Sequence, residues 1–433
     1  MSELLAHGIG ARGDLPVDPG FLAWGAGLVL IVSFAALGAL WTEPRLRAAS
    51  ERTRSIGSVP TRVVDLALLA GRLLAVAAYV LTIAAAFAGS RFAVLNPAPW
   101  VVFVAVWTAM PMLSFVFGDV WRHVSPLRML GRAADLAGRR LGIHRPEVEI
   151  DARPAAIALF AFLWFELAYH DASSPRVLAW LIVVYSVWAV VPAMWFGVAW
   201  TDSADGLGWW FSKVASMAPW RRNDTIGARL PITGLSTVVM ARGAVTSVLI
   251  VLGGATFDGF GRSSWWQDVV GSSFGWTLTL YSTVGLIWVI AIVGLVYMFA
   301  SRFADRVEYI DATTAFAPSL IPIAFGYGIA HTFSLLVFEG QTLIIRISDP
   351  FGNGADWFGT NTWVENYTAV STSLIAWVQV GAIIIGHLVG VIVAHDTALE
   401  RYKTSDSALR SQYAMILAMI AYTVAGLLLL VNA

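Results

Sequence analysis

The 433-residue sequence contains no cysteine. This absence excludes disulfides, thiol nucleophiles, thiolate metal sites and iron–sulfur clusters, and leaves His, Asp and Glu as the available metal ligands. Two catalytic motifs are also absent: the HExxH of zincins and the Walker-type Gly-Lys-Ser/Thr of ATPases. Residues 1–20 are polar and lack an apolar core, so we expect no cleavable signal peptide.

Charged residues are scarce, at 13% of the chain, whereas 58% of residues are hydrophobic and the mean hydropathy is +0.71. A soluble chain this apolar could not cover itself with polar surface. Apolar runs of bilayer-crossing length predict about ten spans within one integral membrane domain, residues 21–433. The fold class we expect is an all-α polytopic transmembrane helix bundle, with spans near 21–41, 64–88, 99–120, 154–171, 177–200, 235–254, 276–300, 316–340, 368–395 and 412–431.

The basic residues are segregated between alternate loops. Most of the 28 Lys and Arg residues follow spans 1, 3, 5, 7 and 9. Cytoplasmic loops carry such an excess, so we expect a multi-pass protein of the cell (inner) membrane with both termini outside the cytoplasm. Residues 1–20 would then form an extracytoplasmic tail. No feature of the sequence predicts binding to nucleic acid.

Two spans resemble each other. Residues 71–91 read GRLLAVAAYVLTIAAAFAGSR, and residues 241–262 read ARGAVTSVLIVLGGATFDGFGR. Each has an Arg about two turns inside the predicted cytoplasmic end of its span (Arg72, Arg242), and Phe-x-Gly followed by a second Arg comes nineteen or twenty residues later. Four spans separate them, so they predict a parallel internal repeat. The alternative is chance similarity between two apolar helices.

An upper layer of polar residues is predicted inside the spans, where each charge is costly unless it is paired or hydrated. Counting the helical rise from the span ends places Glu166 and His331 at similar depth, with Glu339 and His170 nearer the outer surface. Such a group could form a proton relay, an acid–base pair or a zinc-type site. Glu166 and His170 are spaced i, i+4, on one helical face. Simple hydrogen bonding between helices is the alternative.

A lower, cationic layer contains Arg72, Arg242 and His387 and would suit an anion or a charge relay. Snorkelling of the arginines to the headgroups is the alternative interpretation. In the predicted outer loop 256–268, Asp258 is a further candidate for binding a substrate or relaying charge, unless that loop is a plain surface turn.

Several segments together resemble a known group. They are TFDGF (256–260), APSLIPIAFGYGIAHTFSLLVFEGQ (317–341), SDP (348–350), DWFG (356–359), GHLVGVIVAHDTAL (386–399) and RSQY (410–413). The combination is similar to actinobacterial polytopic membrane proteins commonly labelled fenitrothion hydrolase. The resemblance implies hydrolysis of a phosphotriester or thiophosphotriester, assisted by zinc or manganese. Under that reading Glu166 and His331 are the catalytic residues, and His331, Glu339 and His170 are the metal ligands.

Three functions therefore remain open. The first is a membrane-embedded hydrolase of an apolar substrate. The second is a secondary transporter coupled to protons or ions, which fits spans interrupted by proline or glycine. The third is a subunit or assembly partner of a membrane-protein complex, docking through the basic loops 117–132 and 209–222. Those loops could instead lie in the lipid headgroup layer, and every alternative includes the bilayer as a partner.

Overall fold

A computed structural model describes residues 19–52, 54–57, 60–222 and 226–432. A helix lies at each of the ten predicted spans, and we label these α1–α10 in chain order. They are α1 Pro19–Leu40, α2 Thr61–Ala88, α3 Pro97–Phe117, α4 Arg153–Leu167, α5 Pro175–Val190, α6 Ala244–Gly261, α7 Gly275–Val307, α8 Leu320–Arg346, α9 Thr372–Arg401 and α10 Tyr413–Asn432. The predicted all-α polytopic bundle is confirmed.

Eight helical stretches of the described chain are long and apolar enough to cross a membrane. The two other predicted spans are shorter: the apolar part of α1 is Trp24–Leu40, and α4 has 15 residues. At the α-helical rise a 15-residue helix is about 22 Å long, less than the ~30 Å hydrocarbon core. Of the predicted extracytoplasmic tail, 1–20, all but the last two residues lie outside the described residues.

Short elements connect the long helices. Three strands form an antiparallel sheet in the order β1-β3-β2, which the sequence did not predict: β1 Arg54–Gly57, β2 Trp220–Arg222 and β3 Ile226–Ala228. The short α-helices are Leu46–Glu51, Val120–Val124, Pro126–Arg140, Ala193–Phe196, Val198–Ala204, Gly206–Ala215, Ser264–Val270, Ala312–Phe316 and Ser405–Ser411, and the 3₁₀ turns are Ala93–Leu95, Thr233–Thr237 and Ala317–Ser319.

The sixth span is displaced from its predicted position. Helix α6 begins at Ala244 instead of residue 235, because Gly243 precedes it with a φ of +82° that favours glycine. A Cβ at Gly243 would also lie 2.5 Å from the backbone nitrogen of Arg153, so no side chain fits there. As a result Asp258 lies inside α6, and Arg242 lies before the helix, exposed. The prediction of Arg242 within a span was therefore wrong.

The displacement also changes how the two similar segments compare. Arg72 lies in the middle of α2, whereas Arg242 precedes α6. The two helices also differ in environment: 6% of the apolar window of α2 is buried in the bundle, against 61% for α6. The parallel repeat stays a prediction, and the two arginines lie at different positions relative to their helices.

Helices α6 and α8 occupy the centre of the bundle, and small residues let their neighbours come close. Gly326 of α8 faces α9, where an added Cβ would lie 2.4 Å from the carbonyl oxygen of Ala382. On α9, a Cβ at Gly386 would lie 2.7 Å from the carbonyl oxygen of Pro322. Close approach of this kind is how helices associate in lipid, where dispersion contacts replace the hydrophobic effect.

Gly386→Ala is expected to lower the free energy of unfolding by about 1–3 kcal/mol, because the new methyl group forces two backbones apart. Gly381→Ala on the same helix is the matched control, since a Cβ there meets no atom within 4 Å. Thermal unfolding of the purified protein in detergent measures both variants. Equal effects of the two substitutions would contradict the packing described for α8 and α9.

Candidate functional site

A cavity lies among helices α3, α4, α6 and α8 in the centre of the bundle. Its volume is about 80 Å³, which is room for several water molecules. The walls are mainly aliphatic and aromatic, and the titratable residues among them are Glu166, Asp258 and His331. The predicted pairing of Glu166 with His331 at one depth therefore corresponds to a shared cavity, which Asp258 joins from α6.

Glu166 is the next-to-last residue of α4, the helix that lies against α6. Gly254 permits that approach, since a Cβ there would lie 2.8 Å from Leu163 Cδ1. On its other side α4 is held to α7 by a hydrogen bond from Trp164 Nε1 to Thr283 Oγ1, 2.8 Å long. The Oε2 atom of Glu166 is buried and has no hydrogen-bond partner among the described residues. A buried carboxylate oxygen without a partner is uncommon in native structures, which makes Glu166 a candidate functional residue.

Asp258 contacts two basic side chains, Arg262 and His331. Arg262, one turn later and directly after the end of α6, donates from Nη2 to both carboxylate oxygens, at 3.0 and 2.9 Å. The Nδ1 atom of His331 on α8 lies 3.2 Å from Asp258 Oδ2. Gly259 makes room for that imidazole, since a Cβ there would lie 3.0 Å from His331 Cε1. The three side chains form a guanidinium–carboxylate–imidazole cluster that joins α6 to α8.

Tyr327 fixes the plane of the His331 ring. The two rings are stacked, with centroids 4.8 Å apart and an interplanar angle of 16°. Tyr327 is fully buried, and its hydroxyl has no hydrogen-bond partner within the described part of the chain. Gly426 of α10 receives the phenol ring, because a Cβ at that position would lie 2.7 Å from Tyr327 Cε2. Stacking on Tyr327 therefore sets the plane of the imidazole, while neither of its ring nitrogens has a hydrogen-bond partner among the described residues.

The wall contributed by α3 is π-helical over Trp100–Ala109. Thr108 donates from Oγ1 to the carbonyl oxygen of Phe103, five residues earlier, at 2.8 Å. Trp107 and Thr108 both line the cavity. Single π-helical turns occur frequently at functional sites, and they redirect side chains relative to a regular helix.

Two of the predicted metal ligands lie elsewhere. The His170 ring nitrogen Nδ1 lies 2.9 Å from Thr279 Oγ1, and the ring packs against Trp276. Glu339 accepts a hydrogen bond from the Thr342 hydroxyl, at 3.2 Å. Within the described ranges, no three His, Asp or Glu side chains form a group that could hold a metal ion. The structure thus does not bring His331, Glu339 and His170 together.

Helix geometry explains both separations. Helix α4 ends at Leu167, so the i, i+4 relation that placed Glu166 and His170 on one face does not extend to His170. Glu339 is eight residues after His331 on α8, which at the α-helical rise is about 12 Å along the axis.

The predicted lower layer is not one site either. Arg72 donates from Nε to the backbone oxygen of His123 at 3.0 Å, and Arg242 is exposed before α6. His387 is buried in α9, where its Nδ1 lies 2.8 Å from the carbonyl oxygen of Ile383. Each residue contacts a different part of the protein, and none of the three lines the cavity at Glu166.

The two basic loops pack against each other. Trp121 stacks edge-on against Phe211, with centroids 5.7 Å apart, and donates from Nε1 to Asp205 at 2.7 Å. Arg128 pairs with Asp202 through two hydrogen bonds, at 2.5 and 3.0 Å. Burial raises the pKa of Asp205, although the hydrogen bond from Trp121 acts in the opposite direction. These contacts hold the first loop against Asp202, Asp205 and Phe211.

Sequence reasoning missed Arg262 and Tyr327 as members of the site. The signal for Arg262 was the i, i+4 spacing from Asp258, which becomes visible once α6 is known to continue through residue 261. Tyr327 likewise lies four residues from His331 on α8, so this pair could have been recognised from the sequence alone. Comparison with known proteins adds no further residue: no family model, no curated protein and no solved structure matches the chain.

Proposed function

We propose that the protein is a proton-coupled secondary transporter of the cell (inner) membrane, with both termini outside the cytoplasm. Its proton-binding site is the cluster of Glu166, Asp258, Arg262 and His331. The observation that carries the proposal is the unpartnered, buried Glu166 Oε2 atom in the same cavity as the Asp258–His331 pair. Carboxylate and imidazole groups inside a helix bundle are the usual elements of proton relays.

The helices around the cavity support transport. Transporter sites lie where membrane helices are interrupted, because freed backbone groups and bent axes allow alternating access. Helix α3 changes to π-helical geometry beside the cavity, and α8 is preceded by the 3₁₀ turn Ala317–Ser319. The volume of about 80 Å³ is small beside the ~300–1,000 Å³ of most ligand sites, which favours protons and small solutes.

Hydrolysis of a phosphotriester or thiophosphotriester is the second candidate, and the resemblance to fenitrothion hydrolases motivates it. The position of His331 Nδ1, 3.2 Å from Asp258 Oδ2, favours it, since general bases commonly consist of an imidazole beside a carboxylate. Glu166 would then serve as a second acid–base group. Because the predicted metal ligands are apart, this candidate rests on acid–base chemistry at the cluster.

One pair of variants separates the two functions. His331→Ala removes the imidazole from the cluster, and His170→Ala removes an imidazole outside the cavity. For a transporter, proteoliposomes on a solid-supported membrane give a current after a pH step, and His331→Ala lowers it at least about tenfold. His170→Ala is expected to leave the current unchanged.

The same two variants are assayed with para-nitrophenyl diethyl phosphate, a neutral phosphotriester that releases a coloured product. Hydrolysis by the wild type that His331→Ala abolishes, together with no current above that of protein-free vesicles, would overturn the transporter proposal in favour of the hydrolase. Equal currents in His331→Ala and the wild type would remove His331 from the proposed site.

A further inference from the structure

A polar cavity of about 190 Å³ lies between residues 119–128, which follow α3, and residues 201–213. Of the described residues, none lines both this cavity and the cavity at Glu166. The charged residues that line the polar cavity are Asp119, Arg122, Arg128, Asp202, Asp205 and Lys213. The side chain of Arg122 is 56% exposed, so the cavity extends to the surface of the protein. A polar space of this size holds several water molecules, and a chain of water molecules can carry protons.

The helix Gly206–Ala215 is the wall that the two cavities share. Four of its residues line the polar cavity: Gly208, Trp209, Ser212 and Lys213. They form two i, i+4 pairs, so they lie on one side of the helix. Trp210 lies on a different side and lines the cavity at Glu166. The other described residues that line that cavity belong to α3, α4, α6 and α8.

Trp210 closes the cavity at Glu166 on the side of the polar cavity. The helix Gly206–Ala215 contacts α3, α4 and α8, which are three of the four helices around the cavity at Glu166. Gly206 permits the contact with α4, because a Cβ there would lie 2.9 Å from the carbonyl oxygen of Ala155. Trp210 is 3% exposed, so other protein atoms surround it. A buried aromatic ring therefore separates the polar cavity from the carboxyl group of Glu166.

We propose that protons reach Glu166 through the polar cavity and that Trp210 is the gate on this route. The inference rests on the proposed proton-coupled transport and describes how its proton-binding site communicates with solvent. In alternating access the binding site is closed on one side of the membrane while it is open on the other. Trp210 closes the site on the side of the polar cavity in this structure, and displacement of its ring joins the two cavities.

A cysteine introduced into the cavity at Glu166 tests the gate, because the native chain contains no cysteine. Gly328 lines this cavity, and a Cβ there meets no atom within 4 Å, so Gly328→Cys places a thiol where the wall has room for it. The full-length protein in nanodiscs is treated with 2-aminoethyl methanethiosulfonate, a small water-soluble thiol reagent. Mass spectrometry of the intact protein then gives the labelling rate of the cysteine.

Trp210→Ala in the Gly328→Cys background is expected to raise the labelling rate at least about tenfold, because the reagent no longer waits for the gate to open. Trp209→Ala is the matched control. It removes a buried tryptophan from the same helix, but that side chain lines the polar cavity instead. We expect Trp209→Ala to leave the labelling rate unchanged. Equal rates in the two variants would overturn the assignment of Trp210 as the gate.

Ser212→Trp tests the route while Trp210 and Glu166 stay in place, so it does not depend on the folding of Trp210→Ala. Ser212 lines the polar cavity, and an indole ring there displaces water from it. The pH-step current is expected to fall at least about tenfold, because proton delivery through that water is interrupted. Ser212→Ala is expected to retain the wild-type current. An unchanged current in Ser212→Trp would overturn the proposed route.

These measurements distinguish a failure of the gate from a failure of the proposed transport. A wild type without pH-step current above that of protein-free vesicles would overturn the transport and the route that serves it. The labelling rates measure the barrier at Trp210 and do not depend on transport. A wild-type current together with equal labelling rates in Trp210→Ala and Trp209→Ala would overturn the gate alone.

Discussion

Asp258→Ala is expected to lower the free energy of unfolding by about 3 kcal/mol, because it leaves the Arg262 guanidinium without its carboxylate partner in the bundle interior. The two side chains are 17% and 22% exposed, and they share two hydrogen bonds. Removing one partner of such a pair lowers the free energy of unfolding more than removing both partners does. The double variant Asp258→Ala, Arg262→Ala is therefore expected to recover part of the loss, and chemical unfolding in detergent measures the cycle.

The chain contains a matched control for this pair. Asp406 and Arg410 have the same i, i+4 spacing and a 3.0 Å contact, but their side chains are 69% and 65% exposed. Asp406→Ala is expected to cost no more than about 0.5 kcal/mol, because water and salt screen exposed pairs. Similar losses in Asp258→Ala and Asp406→Ala would show that the bundle does not shield the pair from solvent.

Glu166→Gln is expected to lower the pH-step current at least about tenfold, because glutamine keeps the shape of the side chain and cannot exchange a proton. Nothing else in the site needs to change, since Oε2 has no hydrogen-bond partner among the described residues. The variant should therefore fold and insert like the wild type, and its secondary structure by circular dichroism provides that check.

Glu339→Gln is the control for Glu166→Gln. Both glutamates were predicted to belong to the upper polar layer, and only Glu166 lines the cavity. Glu339 instead accepts from the hydroxyl of Thr342 near the end of α8. We expect Glu339→Gln to retain the wild-type current. A loss of current in both variants would argue for a general effect of charge in the outer half of the bundle.

The helical architecture was predictable because the apolar runs are long and the bilayer sets their length. The position of α6 was not, since residues 235–243 are apolar apart from Ser236, Thr237 and Arg242, and the start of the helix depends on the backbone at Gly243. That nine-residue difference moved Asp258 from a predicted loop into the centre of the site and moved Arg242 out of its predicted span.

The estimated depth of a residue in the membrane predicted the site better than the i, i+4 spacing of residues on one helix. Glu166 and His331 were placed at one level by counting residues, and both line one cavity. The i, i+4 relation of Glu166 to His170 failed because it assumed that α4 continues beyond Leu167. Which helices are neighbours is decided by close packing at positions such as Gly254 and Gly259, whose role is visible only once both helices are in place.

The most direct test of the account is to observe the Glu166 carboxyl itself. Infrared difference spectra are recorded between two buffer pH values on the protein in lipid, for the wild type, Glu166→Gln and Glu339→Gln. The account predicts a protonated-carboxyl band that changes with pH in the wild type and in Glu339→Gln and is missing from Glu166→Gln. Identical spectra for the wild type and Glu166→Gln would contradict the claim that Glu166 binds and releases the transported proton.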